Sequence, residues 1–129
     1  MKSSELAAFP VFGGLAEPDR DRLASVCSDL EVEAGSRLVS EGDFGYAMFA
    51  IVRGTAEVSK DGAALRALGP GDVFGEIAIL SGGRRTATVT ATSPMELVVV
   101  LNRDVWRLEQ ESPDVSAALR RTISDCLAR

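Results

Sequence analysis

The sequence of 129 residues contains no histidine. Histidine is the side chain that most often serves as a general acid or base near neutral pH, and it is a frequent ligand of zinc and haem iron. Its absence excludes serine–histidine triads, histidine-ligated haem and most zinc or iron enzyme sites. The composition therefore favours a binding domain over an enzyme.

Cysteine, long apolar runs and positive charge are also scarce. The two cysteines, Cys27 and Cys126, are too far apart in sequence to form a CxxC site and too few for a disulfide framework. No apolar run approaches the roughly 20 residues that span a bilayer, and residues 1–6 lack the apolar core of a signal peptide. The net charge of −5 differs from the basic excess of a general nucleic-acid binder. We therefore expect a cytoplasmic domain that binds neither membranes nor DNA.

The apolar content of 46% and the charged content of 26% are ordinary for a globular protein of one domain. Glycine and proline divide the middle of the chain at roughly the 8–12-residue spacing of an antiparallel sandwich or barrel. The segments between these turns predict strands at residues 30–33, 37–40, 47–52, 55–60, 64–68, 86–91 and 96–101. Asp61-Gly62 predicts a tight hairpin turn, because glycine accepts a positive φ. No βαβ alternation is present, so a doubly wound nucleotide-binding fold is not expected.

The N-terminal part of the chain has a helical pattern. Pro18 suits the first turn of a helix. The apolar residues that follow it at near-helical spacing are Leu23, Val26, Cys27 and Leu30. We therefore expect a helical entry before the strands.

Two further helices are predicted near the C-terminus. Asn102 is a candidate cap for the first, and Ser112-Pro113 is expected to end it and to start the second. One apolar stripe follows the second helix, formed by Val115, Leu119, Ile123 and Cys126/Leu127. This stripe either packs on the sheet, or it moves or pairs with a second copy of the chain, and the sequence leaves these alternatives open.

Residues 72–89 carry the chemistry of this sequence. The chain leaves a strand through Gly75, has room for about one helical turn, and passes a Gly-Gly pair and two arginines before the next strand. A short helix start beside glycine exposes N–H groups that suit an anion, and an arginine beside it can donate two hydrogen bonds to phosphate. Glu76 would repel an anion but suits a sugar hydroxyl. A free 2′-hydroxyl beside a phosphodiester is what a 3′,5′-cyclic nucleotide presents.

Phe74-Gly75-Glu76-Ile77-Ala78, followed by Arg85-Thr86-Ala87-Thr88-Val89, resembles the phosphate-binding cassette of the cyclic nucleotide-binding domains. This family includes domains of the cAMP-dependent kinase regulatory subunit, of cyclic-nucleotide-regulated channels and of bacterial catabolite-activator-like regulators. Other matching segments are Phe9-Pro10-Val11-Phe12-Gly13-Gly14-Leu15, Glu41-Gly42-Asp43, Ile51-Val52-Arg53-Gly54 and Leu68-Gly69-Pro70-Gly71-Asp72. The resemblance therefore covers nearly the whole chain.

The resemblance implies a mainly β fold, a double-stranded β-helix (jelly-roll) barrel with N-terminal helices and two C-terminal helices. It implies one cyclic nucleotide-binding domain over residues 1–129. Its parts would be a helical entry at 1–29, the barrel at 30–101 with the cassette at 74–88, and the C-terminal helices at 102–129.

The resemblance also implies a ligand-binding set, which consists of Gly75, Glu76, Ile77, Ala78, Arg85, Thr86 and Ala87. Arg85 would pair with the exocyclic phosphate oxygens, and Glu76 would accept from the ribose 2′-hydroxyl. The main chain of Gly75, Ile77 and Ala78 would line the sugar and phosphate, with Thr86 and Ala87 on the far side of the phosphate. The base would lie in the barrel against apolar strand residues, Val58 being a further candidate. No catalytic residue and no metal ligand is expected.

The sequence departs from the family pattern at one position. Many relatives have proline immediately before the binding arginine, and this chain has Arg84 there. The Thr-Ala-Thr-Val that follows favours Arg85 as the phosphate ligand, and Arg84 is expected to attract the anion diffusely or to point to solvent. Residues of the last helix that would reach the base are Arg120, Arg121 and Thr122, although solvent-exposed charge is the alternative for them.

The resemblance implies a sensor that binds cAMP or cGMP and converts occupancy into movement of the C-terminal helices. We expect no enzymatic activity, no cofactor beyond the ligand, and an output through a protein effector or a fused effector domain. The alternative is a structural or interaction domain with the same barrel and no nucleotide. A metal-dependent barrel enzyme is disfavoured by the missing histidines. Cyclic pyrimidine nucleotides and homodimer formation stay open.

Overall fold

The computed structural model describes residues 3–75 and 84–127, with short helices before the strands and longer ones after them. The helices are α1 (Ser3–Leu6), α2 (Pro10–Gly13), α3 (Glu17–Ala24), α4 (Asn102–Glu111) and α5 (Pro113–Leu127). The strands are β1 (Ser28–Val32), β2 (Arg37–Val39), β3 (Ala47–Arg53), β4 (Ala56–Lys60), β5 (Ala63–Leu68), β6 (Val73–Phe74), β7 (Thr88–Ala91) and β8 (Met95–Leu101). None of the helices in these two ranges is long and apolar enough to cross a membrane.

The described strands form two four-stranded sheets in which all neighbours are antiparallel. The first sheet has the order β1-β8-β3-β6, and the second has the order β2-β7-β4-β5. Most neighbours are therefore distant in sequence, as they are in jelly rolls. The predicted fold, a mainly β jelly-roll barrel with N-terminal and C-terminal helices, is confirmed.

Strand β3 contributes to both hydrophobic cores of the described chain. Met48 and Ala50 belong to the helix-side core, which the first sheet shares with the helices. Phe49 and Ile51 belong to the core between the sheets. Because successive side chains of a strand point to opposite faces, a strand covered on both sides must be apolar throughout, and the sequence Ala-Met-Phe-Ala-Ile-Val meets that requirement.

The turn between β4 and β5 has the conformation that its sequence predicts. Asp61 has a φ of 52° and Gly62 a φ of 81°, so both central residues are left-handed, as a type I′ hairpin turn requires. The Asp61 amide also donates to Glu41 Oε1 at 3.1 Å, which ties this turn to the loop after β2. The predicted hairpin is confirmed.

The helical pattern near the N-terminus spans two elements. Helix α3 ends at Ala24, and Leu30, the last residue of that pattern, lies in β1. Strand β1 pairs with β8 from Ser28 opposite Val99 onward, so it begins earlier than the predicted residue 30. The backbone groups that a longer helix would have used internally are bonded to β8 instead, and this pairing overrides the near-helical spacing of the side chains.

The predicted break between the two C-terminal helices is confirmed. Helix α4 ends just before Ser112, and Pro113 opens α5, where its missing N–H is not needed. The hydroxyl of Ser112 accepts from Arg22 Nη1 of α3, which ties the break to the N-terminal helices.

The described part of the apolar stripe on α5 is packed. Val115 and Leu119 are buried in the helix-side core, and α5 contacts α2, α3 and α4. The side chains of Ile123, Cys126 and Leu127 lie outside the described part of the structure. The described part of the stripe therefore packs against other helices, and β3 and β8 contribute side chains to the opposite side of the same core.

The prediction that Asn102 caps α4 through its side chain is wrong. The cap position is Leu101, whose side chain makes no capping hydrogen bond. The side chain of Asn102 instead donates from Nδ2 to the carbonyl oxygen of Gly45 at 3.3 Å. The side chain of Asn102 therefore bonds the loop before β3 and not the backbone of its own helix.

Burial raises the pKa of the Cys27 thiol from 9.0 to about 12. A raised pKa in the folded state contributes stability below pH 9, and this contribution is lost as the pH rises from about 9 toward 12. We expect the difference in the free energy of unfolding between the unaltered protein and Cys27→Ala to shrink from pH 8 to 10.5, because the unfolded thiol loses its proton before the folded one. The expected change is only about 1 kcal/mol, since the folded thiol is only partly shielded from water. Urea unfolding at both pH values, under reducing conditions, measures it. A difference that is independent of pH would contradict the shielding of Cys27.

Candidate functional site

Gly75, directly after β6, approaches two other groups so closely that only glycine fits there. Its φ is +77°, in the left-handed region. A Cβ added to it would lie 2.7 Å from Arg85 Nη1 and 2.8 Å from the carbonyl oxygen of Ala47. Both the backbone conformation and the available space therefore require the absence of a side chain.

The guanidinium of Arg85 is held at this point by main-chain oxygens. Nη2 donates to the Ala47 oxygen at 2.6 Å, and Nη1 donates to the Gly75 oxygen at 3.2 Å. The side chain is half-buried. These two bonds connect the start of β3, the end of β6 and the chain before β7, three segments that are far apart in sequence.

The backbone of Arg85 is fixed as firmly as its side chain. Its amide donates to the Asp43 oxygen at 2.6 Å, and its carbonyl oxygen accepts from the Gly42 amide at 2.9 Å. The direction in which the side chain leaves the backbone is therefore set by the loop between β2 and β3. A planar guanidinium held in one orientation suits the two-pronged recognition of a phosphate.

Arg84 has a different environment from its neighbour. Its side chain is exposed, its guanidinium carbon lies 4.4 Å from the centre of the Phe44 ring, and Nη1 donates to the Gly42 oxygen at 2.7 Å. Such a cation over an aromatic face at the surface adds modest attraction. Arg84 therefore packs on the loop between β2 and β3, whereas Arg85 reaches past that loop to β3 and β6.

A pocket of about 460 Å³ opens beside the two arginines. Its apolar lining includes Leu38, Val39 and Phe49, which also pack against the core between the sheets. Phe44 and Tyr46, which are 54% and 70% exposed, also line it. Sequence reasoning missed both aromatic residues, although their position around Gly45, directly after the Glu41-Gly42-Asp43 turn, was an available signal.

The other residues of the predicted ligand set fall into two groups. Glu76, Ile77 and Ala78 lie outside the described residues. Thr86 is exposed and Ala87 is half-buried, and both lie in a bend, so the strand predicted from residue 86 begins only at Thr88. Ala87 packs against the core between the sheets, to which the buried Val58 also belongs. The structure thus brings Gly75 and Arg85 together, with Ala87 and Val58 in the adjoining core.

The candidates for base contact on α5 have their own surroundings. Arg120 is half-buried, and its Nη2 lies 3.5 Å from Glu109 Oε2 of α4. Arg121 is exposed, and the side chain of Thr122 lies outside the described part of the structure. The ion pair of Arg120 therefore links the two C-terminal helices.

The described structure is a jelly-roll domain in which the Arg85 guanidinium is held between the start of β3 and the end of β6. The sequence model of the cyclic nucleotide-binding domain matches residues 29–112 of this chain. The chain therefore belongs to the cyclic nucleotide-binding domain family.

Three similar proteins place the chain within this family. A cAMP-dependent protein kinase regulatory subunit of Eremothecium gossypii is 38% identical over 104 residues, which is 80% of this chain and 23% of the relative. A cyclic nucleotide-gated potassium channel of Rhizobium etli is 32% identical over 117 residues, 91% of this chain and 33% of the channel. The regulatory domain of Toxoplasma gondii PKA, solved with cAMP, is 30% identical with a TM-score of 0.74, over 81% of this chain and 42% of that one. The match thus spans about a quarter of the length of the Eremothecium regulatory subunit and about a third of the length of the Rhizobium channel.

The close approach at Gly75 generates a stability prediction. We expect Gly75→Ala to lower the free energy of unfolding by about 1–2 kcal/mol more than Gly71→Ala does. Gly71 is the matched control, because its φ of +92° is equally unfavourable for alanine but nothing lies within 4 Å of an added Cβ. Chemical denaturation of both variants measures the difference. Equal losses would mean that the contacts of Gly75 with Arg85 and Ala47 impose no constraint.

Proposed function

We propose that this domain binds a 3′,5′-cyclic nucleotide and that Arg85 holds the cyclic phosphate. The observation that carries this proposal is the guanidinium of Arg85, oriented by the carbonyl oxygens of Gly75 and Ala47. These two bonds hold the guanidinium in one orientation, and a guanidinium held in this way can form the paired hydrogen bonds that a phosphate accepts. Membership of the cyclic nucleotide-binding family supports the same ligand.

The remaining ligand contacts are proposed from the family pattern. Glu76 accepts from the ribose 2′-hydroxyl, and the main chain of Gly75, Ile77 and Ala78 lines the sugar and the phosphate. Thr86 and Ala87 contact the far side of the phosphate through main-chain and side-chain groups. The base contacts apolar side chains inside the barrel, near Val58.

We further propose that occupancy is transmitted to the C-terminal helices and from there to a protein effector or a fused effector domain. The helix-side core supports this proposal, because β3 carries the Ala47 oxygen that binds Arg85 and also the buried Met48 and Ala50 that face the helices. A shift of β3 at the site therefore displaces side chains in the core that α4 and α5 also line. Two relatives are named as a kinase regulatory subunit and a gated channel, and regulated proteins of that kind fit a sensor of this type.

Calorimetric titration with cAMP, cGMP, cCMP and cUMP, side by side, tests the proposed function. We expect the purine cyclic nucleotides, cAMP or cGMP, to bind best, since one relative is named for cAMP and another was solved with it. Linear 5′-AMP should bind much more weakly, because it lacks the cyclic phosphate. The analogue 2′-deoxy-cAMP should also bind much more weakly, because it lacks the hydroxyl assigned to Glu76. Absence of binding by all four would favour an interaction domain with the same barrel and no nucleotide.

The two arginines should differ sharply in their effect on affinity. Arg85→Ala should cost roughly 2–5 kcal/mol in cyclic nucleotide binding, as expected when one partner of a desolvated charge pair is removed. Arg85→Lys should recover only part of this loss, because an ammonium cannot reproduce the guanidinium fork. Arg84→Ala is the matched control and should cost less than about 1 kcal/mol, a loss that high salt diminishes further. Titrations at two ionic strengths measure all three variants, and a larger loss from Arg84→Ala would reverse the assignment.

A further inference from the structure

The loop of residues 40–46, here named the connecting loop, joins β2 to β3 and touches the candidate phosphate site at one end. Asp43 and Gly42 bond the backbone of Arg85, and the oxygen of Gly42 accepts from Arg84. Phe44 forms an isolated β-bridge with Arg84 and packs under its guanidinium. This end of the loop is therefore attached to both arginines through main-chain and side-chain contacts.

The other end of the connecting loop is attached to the first turn of α4. The backbone amide of Asn102 donates to the Tyr46 oxygen at 2.8 Å, and its side-chain Nδ2 donates to the Gly45 oxygen at 3.3 Å. Asn102 is only 5% exposed, although it is a polar residue at a helix start. One buried side chain thus links α4 to a loop that also fixes Arg85.

The hydrogen bonding of Asn102 is incomplete. In the part of the chain that the structure describes, its Oδ1 is buried and has no hydrogen-bond partner. A buried amide oxygen without a donor is unfavourable, and most proteins avoid it. Within the described residues, the Asn102 side chain is therefore held to its surroundings by its Nδ2 bond to the Gly45 oxygen and not by its Oδ1.

We infer that Asn102 is a positioning residue that couples the nucleotide site to α4 through the connecting loop. The inference rests on the proposed function. A phosphate that takes up N–H groups of Arg85 weakens the bond from Nη2 to the Ala47 oxygen, and Ala47 directly follows Tyr46 in the chain. The loop then shifts, and the oxygens of Gly45 and Tyr46 carry the shift to Asn102 and to the start of α4. The two coupled sites are the phosphate site and the start of α4, and the connecting loop is the element that they share. The contacts that change are the bond from Arg85 to Ala47 and the bonds from Asn102 to Gly45 and Tyr46.

The test compares Asn102→Ala with Trp106→Ala. The side chain of Trp106 also lies on α4, but it is 53% exposed. Calorimetry gives the affinity for cAMP, and hydrogen exchange gives the slowing of amide exchange in α4 on saturation. We expect Asn102→Ala to reduce that slowing at least about fivefold, within the range of measured coupling factors, and Trp106→Ala to leave it unchanged. If Asn102→Ala does not fold, Asn102→Ser keeps a small polar side chain at this buried position and removes the Nδ2 donor.

The affinity for cAMP distinguishes coupling from a merely structural role. Asn102 bonds the connecting loop and not the proposed phosphate ligand Arg85, so Asn102→Ala should still bind cAMP while the slowing in α4 is reduced. Ligand-induced slowing that Asn102→Ala leaves intact while cAMP still binds would overturn the inference and leave the proposed function standing. Absence of cyclic nucleotide binding by the unaltered protein would overturn the proposed function, and the inference with it.

Discussion

The bonds from Arg85 to the oxygens of Gly75 and Ala47 are the contacts around which the site is built. They bring the end of β6 to the start of β3, and they require that Gly75 has no side chain. They also fix one orientation of a guanidinium whose backbone is held by the connecting loop. The conformational entropy of this long, flexible side chain is thus already lost on folding, so a ligand would not have to order it. Preorganised binding rests in general on this saving in entropy.

A shared strand and a shared loop join the candidate site to the helices. Strand β3 presents the oxygen of its first residue to Arg85 and buries alternate side chains against the helices. The connecting loop binds Arg85 at one end and Asn102 at the other. Close-packed interiors transmit small displacements rather than absorbing them. This arrangement gives the proposed coupling between Arg85 and α4 a continuous physical route.

Much of the fold could be predicted because its signals are local. The Asp61-Gly62 turn depends only on its own two residues, and Ser112-Pro113 ends one helix and starts another through the chemistry of proline alone. The resemblance of Phe74-Gly75-Glu76-Ile77-Ala78 and Arg85-Thr86-Ala87-Thr88-Val89 to the family's cassette also led us to expect Gly75 and Arg85 in one site, and the structure brings these two residues together.

The features that could not be predicted depend on partners distant in sequence. The spacing from Leu23 to Leu30 fits one helix, yet pairing with β8 turns its second half into β1. Asn102 is a good cap by residue type, but the oxygen of Gly45 binds its side chain instead. The Thr-Ala-Thr-Val after the two arginines favoured Arg85 as the ligand, but the packing of Arg84 on Phe44 could not be predicted, because it depends on the connecting loop.

A crystal structure of this domain with cAMP would show which arginine holds the phosphate. We expect the cyclic phosphate to lie within hydrogen-bonding distance of the Arg85 guanidinium, while Arg84 stays on the Phe44 ring. We also expect Gly75 to keep its left-handed conformation beside the ligand. A phosphate bound by Arg84, or a nucleotide bound elsewhere with the Arg85 contacts to Gly75 and Ala47 unchanged, would show that Arg85 is not the phosphate ligand.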